Sequence, residues 1–264
     1  MRKFGVCFMF AVIIVVLGAC GNSIATESND YEVGAQVAYE PEQNAQQSQA
    51  TEEPEEIVAD AVLSHEIVYT NARTWVNSIG TVWVQSIFEV KNTGSVPLFL
   101  GTGAYDLERT DGTLVASRSM VSVFPNVIFP GESAFYYEET MLDVEPGIDL
   151  VILPRPDVRE ARVEGTRLTI TDFSLSEGLH GRGIRMMGRV ENTTDEAQSF
   201  VYVAAALFDD TDSPIGLIFT ILMENLEPGD RIGFEQGSLS LPDDITLDSV
   251  ARYEVFAYIS EFQF

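Results

Sequence analysis

Two stretches of the chain carry the same landmarks in the same order, and this repetition constrains the fold more than any other feature. Val90-Lys91-Asn92-Thr93 answers Val190-Glu191-Asn192-Thr193 at an offset of 100. Asp111-Gly112 answers Asp212-Ser213 at 101, and Pro130-Gly131-Glu132 answers Pro228-Gly229-Asp230 at 98. Upstream, Thr70-Asn71 answers Thr171-Asp172. Each landmark has a local cause. A strand ending in Asn-Thr can turn because Asn tolerates left-handed backbone and bonds its own chain. Asp-Gly supports a tight hairpin, and Pro-Gly supplies the second and third positions of a turn.

Between the landmarks lie short runs rich in Val, Ile, Phe, Tyr and Thr, such as TVWVQSIFEV (81–90), VPLFLGTGAYDLE (96–108) and ARYEVFAYIS (251–260). Such runs, bounded by turn signals, read as strands, and no long stretch keeps a helical period. The expected fold is all-β. It consists of two tandem immunoglobulin-like antiparallel β-sandwiches, each of about seven strands in about 100 residues. The expected domains are 63–160 and 163–264, joined near PRPDVREARVEG (154–165) with its two prolines.

The V-K/E-N-T, D-G and P-G-E/D layout resembles the FxLYD-type domain of bacterial surface lipoproteins, and other small immunoglobulin-like domains found behind lipoboxes. Leu207-Phe208-Asp209 resembles the tail of the naming motif, with Ala205 where its leading Phe would stand. The first half matches that motif poorly. The resemblance covers about 63–264 and implies a fold and a location; it carries no catalytic chemistry.

The first residues speak to location. Arg2 and Lys3 precede sixteen uncharged residues, Phe4 to Ala19. As helix that run is about 24 Å long, short for a hydrocarbon core of about 30 Å and suited to the apolar core of an export signal. Leu17-Gly18-Ala19-Cys20 resembles a lipobox. The resemblance implies a signal peptide over 1–19, cleavage before Cys20 and a diacylglycerol on the Cys20 sulfur. Each buried lipid methylene contributes about 0.8 kcal/mol, so two chains hold firmly where one is marginal. The alternatives are an uncleaved signal anchor and a plain secreted protein. Cys7 lies within the apolar run and reads as filler. The stretch 20–62 is rich in Glu, Gln, Ala and Ser and poor in large apolar residues. It is expected to be a disordered acidic tether, with a reach of about 35 Å.

Charge and composition exclude several functions. The net charge is −26, and loss of Arg2 and Lys3 with the signal makes it −28. Lys91 is then the only lysine. Nucleic-acid binding is disfavoured, because phosphate contacts need a basic footprint, and so is adsorption to anionic lipid headgroups. Without Cys7, no cysteine but Cys20 remains, and His65 and His180 are the only histidines. A disulfide framework, a zinc site or a His-based triad therefore has little to work with. No cofactor is expected.

The remaining candidates are few. Asp209-Asp210-Thr211-Asp212 places three carboxylates in four residues, which a calcium ion could use; the missing ligands at wider spacing favour a solvated hairpin tip. Glu138-Glu139 and Asp243-Asp244 are weaker versions. Carboxylate pairs can cleave glycosides at the right separation, yet among 41 acidic residues some pairing is inevitable. Gly101, Gly103, Gly181 and Gly183 lack the strand–helix setting of a nucleotide loop. Trp75, Trp83, Phe135, Tyr136 and Tyr137 read as core or as an aromatic binding strip. Neighbours on a strand face opposite ways, so the run 135–137 must present an aromatic ring to the outer face or beneath a cover. YEVFAYISEFQF (253–264) is apolar on both faces, as a central strand or an interface strand would be.

The function expected from these features is a lipid-anchored, extracytoplasmic, non-catalytic binding or interaction module of the cell envelope. It would be held at the cell membrane through Cys20 and would contact an envelope protein or a wall component. A solute-binding accessory lipoprotein is the alternative, and an envelope hydrolase stands further off. The first predicts an exposed apolar or aromatic patch, the second a concave site between the halves, and the third converging carboxylates with shifted pKa values.

Overall fold

The computed structural model describes residues 61–77, 79–120, 122–162, 165–178, 183–238, 241–242 and 244–260. Cys7, Cys20, the expected signal peptide and almost all of the expected tether lie outside the described residues. The described residues belong to one compact unit, Ile57–Phe264. They form an all-β sandwich fold, with a single 3₁₀ turn at Leu247–Ser249.

The first half contains β1 (His65–Val76), β2 (Val82–Asn92), β3 (Leu98–Leu100), β4 (Gly103–Arg109) and β5 (Leu114–Met120). It continues with β6 (Val123–Phe124), β7 (Val127–Ile128), β8 (Ser133–Met141), β9 (Leu150–Arg155) and β10 (Val158–Glu160). The second half contains β11 (Thr169–Glu177), β12 (Ile184–Glu191), β13 (Val201–Phe208), β14 (Pro214–Leu222), β15 (Arg231–Gly237) and β16 (Arg252–Ile259). Every ladder is antiparallel.

The halves share one plan. In the first, β1-β2-β8-β6 faces β5-β4-β9; in the second, β11-β12-β15 faces β14-β13-β16. Between the paired sheets lie separate cores. Phe88, Val90, Tyr105, Leu107 and Tyr136 fill the first. Val190, Val203, Ala205, Leu207 and Phe234 fill the second. The first half adds the small sheet β10-β3-β7, where the described residues of the second show the bridge Gln198↔Leu226.

The repeated asparagines explain why both halves turn alike. Asn92 and Asn192 are fully buried. The Asn92 Nδ2 donates to the carbonyls of Val96 (2.8 Å) and Ile128 (3.2 Å), and its Oδ1 accepts from the Gly94 N–H. The Asn192 Nδ2 donates to Glu196 (2.7 Å) and Leu226 (2.9 Å), and its Oδ1 accepts from the Thr194 N–H. The glycine of each Pro-Gly turn closes the corner, Gly131 N–H to the Asn92 carbonyl and Gly229 N–H to the Asn192 carbonyl. Both glycines are left-handed, at φ 87° and 83°, where a Cβ is disfavoured.

One landmark needs realignment. The bonds Gly112 N–H to Arg109 O and Asp212 N–H to Asp209 O match, and both residues have positive φ, 84° and 65°. Gly112 therefore corresponds to Asp212, an offset of 100 and not 101. The second hairpin tolerates a side chain at that position because Asp is permissive there and because Arg252 Nε donates to its carboxylate at 2.6 Å.

A third apolar cluster joins the halves. Ile87, Phe124, Phe135 and Tyr137 meet Ala204, Ala206, Phe208, Leu217 and Tyr258. This follows from strand alternation. On β8, Ala134 and Tyr136 face the first core while Phe135 and Tyr137 face outward. On β13, Val203, Ala205 and Leu207 face the second core while Ala204, Ala206 and Phe208 face outward. The outer aromatic rings of 135–137 are thus covered by the second half. Phe135 meets Phe208 edge-on with centroids 5.7 Å apart, and Phe124 meets Phe219 at 4.7 Å. Burying one such ring contributes about 1.5–3 kcal/mol. Hydrogen bonds cross the same seam from Tyr258 OH to the Val123 carbonyl (3.1 Å) and from Arg167 to the Val127 carbonyl (2.7 Å).

Candidate functional site

The structure disperses most of the residues that sequence singled out. His65 is exposed at the start of β1, while His180, Gly181 and Asp243 lie outside the described residues. Asp209 serves a turn: its Oδ1 accepts from Thr211 N–H, Thr211 Oγ1 and Ser213 N–H. Those bonds, with the Thr211 hydroxyl first, hold its carboxyl below the usual range. Asp212 is engaged by Arg252. No trio of His, Cys, Asp or Glu suited to a metal ion occurs among the described residues. Gly103 packs under the Tyr136 ring, where a Cβ would come within 2.8 Å; its role is closeness in the core.

Trp75 and Trp83 are cross-strand partners on β1 and β2. Their rings stack at 6.1 Å near the β1–β2 hairpin, both half-buried. Strand β16 ends its three-stranded sheet, and the segment 166–168 bonds to its far side, Leu168 N–H to the Ala257 carbonyl and Ile259 N–H to the Thr166 carbonyl. Its two apolar faces serve two cores: Val255, Ala257 and Ile259 face the second core, and Phe256 and Tyr258 face the seam. Its apolar excess is therefore consumed within the chain.

What the structure gathers, and sequence did not show, is a groove along the seam. Two clefts lie end to end beside β14. The first, of about 530 Å³, is lined by Tyr137, Glu138, Glu139, Leu217, Phe219 and Gln236. The second, of about 380 Å³, is lined by Phe99, Phe124, Tyr202, Phe219, Ile221 and Tyr258. They share Ser122 and Phe219. Volumes of this size at a junction between packed units are typical of ligand sites.

The clefts differ in charge. The described lining of the first includes Glu138 and Glu139. Each carboxylate accepts from a phenol, Glu138 from Tyr105 OH at 2.6 Å and Glu139 from Tyr137 OH. Gln85 Nε2 donates to the same Tyr137 oxygen at 3.1 Å. Burial, followed by the negative Glu139, pushes the Tyr137 phenol well up. Burial likewise raises Tyr105, Tyr136 and Tyr258. These phenols keep their protons across the neutral range and brace the walls. Among the described residues that line the second cleft none is charged, although the chain carries 41 acidic and 15 basic residues. Its walls are braced by Asn126 Nδ2 donating to Ser260 Oγ and by Tyr136 OH donating to the Gly101 carbonyl.

A third cleft, of about 320 Å³, opens elsewhere along the seam among Glu89, Glu132, Arg167, Glu254 and Phe256. Burial raises the Glu89 carboxyl. Arg167 is paired with Glu132 at 3.0 Å. No protein-family model matches the sequence, and no curated protein matches it.

Proposed function

We propose that the chain is a lipid-anchored, extracytoplasmic binding or interaction module of the cell envelope and performs no catalysis. The observation that carries this reading is the groove at the seam: an open, mostly apolar channel walled by both halves. The LGAC lipobox supports attachment through a diacylglycerol on Cys20 at the outer face of the membrane. The strand plan and the paired Asn corners support the immunoglobulin-like, FxLYD-type reading. The non-catalytic reading is supported by where titration is most disturbed: the phenols raised furthest are wall braces and offer neither base nor nucleophile at neutral pH.

In-cell cross-linking, comparing the native protein with Cys20→Ala, tests this. A stoichiometric envelope partner that is lost with the anchor is the expected result. A wild type that is lipidated and membrane-bound but yields no partner contradicts it. The alternative, a solute-binding accessory, is favoured by one observation, the 380 Å³ ring-lined cleft between the halves. It predicts a thermal shift with a neutral solute and no protein partner.

A further inference from the structure

We propose that the segment 261–264 lays Phe262 against the ring-lined cleft beside Ser260, as a built-in occupant that an incoming apolar ligand must displace. The displacement rests on the binding-module reading; the seating of Phe262 does not.

Three observations lead there. First, the segment begins at the cleft. Ser260 lines it together with Phe99, Phe124, Tyr202, Phe219 and Tyr258, and the Asn126 Nδ2 of the first half donates to the Ser260 hydroxyl at 3.2 Å. The chain therefore passes from the cleft wall directly into Glu261-Phe262-Gln263-Phe264.

Second, the alternation of β16 runs on past its end. Phe256 and Tyr258 face the seam, while Val255, Ala257 and Ile259 face the second core. The Ser260 hydroxyl, bonded across to Asn126, keeps that order. Same-face residues recur at every second position, about 7 Å apart. Continued, the order puts Phe262 and Phe264 on the cleft side and Glu261 and Gln263 on the other. The change of pattern has a cause. Through Ile259 both faces of the strand have a core to fill, whereas beyond it the polar residues fall on the side where the second core has ended.

Third, the cleft suits a phenyl ring. None of the described residues that line it is charged. Tyr202 and Tyr258, stacked at 5.6 Å, form the wall two residues back from Ser260, and Phe219 is 38% exposed. Aromatic rings pair favourably in offset or edge-on contact. An occupant tethered so closely has an effective concentration on the order of millimolar, enough to compete with a free apolar ligand.

The test uses the full chain, ¹⁵N-labelled, with indole as a neutral aromatic probe followed through the Thr102 and Ser260 amide resonances. An occupant seated about nine-tenths of the time weakens an entering ligand about tenfold, so Phe262→Ser is expected to bind indole about tenfold more tightly than the native chain. Gln263→Ser, on the opposite face, is expected to bind as the native chain does. Adding Phe219→Ser to Phe262→Ser should remove most of the gain, which assigns the indole to this cleft. Nuclear Overhauser effects from the Phe262 ring to the Tyr258 or Phe219 ring read the seating in the native chain without any ligand. The inference is overturned if the Phe262 ring shows no such effect, or if Phe262→Ser binds indole no better than the native chain. An equal gain in Gln263→Ser also overturns it, because any disturbance of the segment would then suffice. All three leave the binding-module reading standing. Absence of any cellular partner in the cross-linking overturns that reading, while the ring contacts still decide the seating.

Discussion

The two halves follow one strand plan and turn on the same buried asparagine, yet their outer faces are opposite in character. In the first half, the outer residues of β8 are Phe135 and Tyr137; their counterparts on β15 are Gly233 and Glu235. In the second half, the outer residues of β13 are Ala204, Ala206 and Phe208; their counterparts on β4 are Ala104, Asp106 and Glu108. Each half is thus apolar on one outer face and polar on the other. The polar faces carry ion pairs, Arg155 with Asp106 at 2.5 Å and Arg185 with Glu235 at 3.0 Å. A head-to-tail contact between like units propagates unless something ends it. Here the contact forms once, between β8 and β13 faces, and the charges on β4 and β15 leave no apolar face for a third unit.

The largest expected effect comes from breaking the apolar pair of faces. Phe208→Ala should cost about 3–5 kcal/mol, read from the urea midpoint. Phe208→Asp, which gives the second half a charge like that of the first half's polar face, should cost more, since it also puts a carboxylate among the apolar groups of the seam. Next come the shared corners. Asn92→Ala and Asn192→Ala each strand one buried carbonyl, that of Ile128 or Leu226, and release a second, part-buried one, and each should cost about 1–3 kcal/mol. Equal costs would support one corner design used twice. A clearly smaller loss at either would break the comparison.

Overpacking is a milder probe. Ala206 lets β13 approach Phe135 and Tyr137, and Ala206→Leu should cost about 1–3 kcal/mol, whereas Ala104→Leu on the polar counterpart face should be nearly neutral. Thermal melts of the pair compare the two faces directly.

Alkaline titration sharpens the account of the seam. Tyr137 and Tyr258 are raised by burial, so folding favours their neutral forms. Their stabilisation is fully present below pH about 10, where unfolded phenols titrate. It is lost as pH rises above that, because only the unfolded state then releases those protons. Unfolding free energy should fall above about pH 10, and Tyr258→Phe should shrink that fall. The smallest expected effect lies at the Asp209 turn. Its carboxylate is engaged with Thr211 and Ser213, so millimolar calcium should leave the melting temperature unchanged; a rise would restore the calcium reading.

Much of this fold was legible in the sequence because its causes are local. Asn-Thr and Pro-Gly dictate turns wherever they fall, and their common spacing carried the repeat. Alternation also required that the run 135–137 present a ring to the outer face or beneath a cover, but not which of the two, nor what the cover was. The cover was hidden because Ala204, Ala206 and Phe208 look like any buried strand, and apolar residues on both faces of β13 and β16 do not say which face meets which core. β6 and β7 were invisible, being two residues each and separated by Pro125-Asn126. The groove was invisible for a different reason. It depends on which strands are sheet edges and on the register between halves, and neither leaves a periodic mark in SPIGLIFTILM (213–223).

The account turns on the claim that the two halves are one cooperative body through their single pair of apolar faces. Trp75 and Trp83, the only tryptophans, both lie in the first half, so their fluorescence reports that half while far-UV circular dichroism reports both. Urea unfolding followed by the two signals should coincide in the native protein and separate in Phe208→Asp, with the tryptophan signal falling apart from the whole. Curves that separate in the native protein, or that still coincide with an unchanged midpoint in Phe208→Asp, would contradict it.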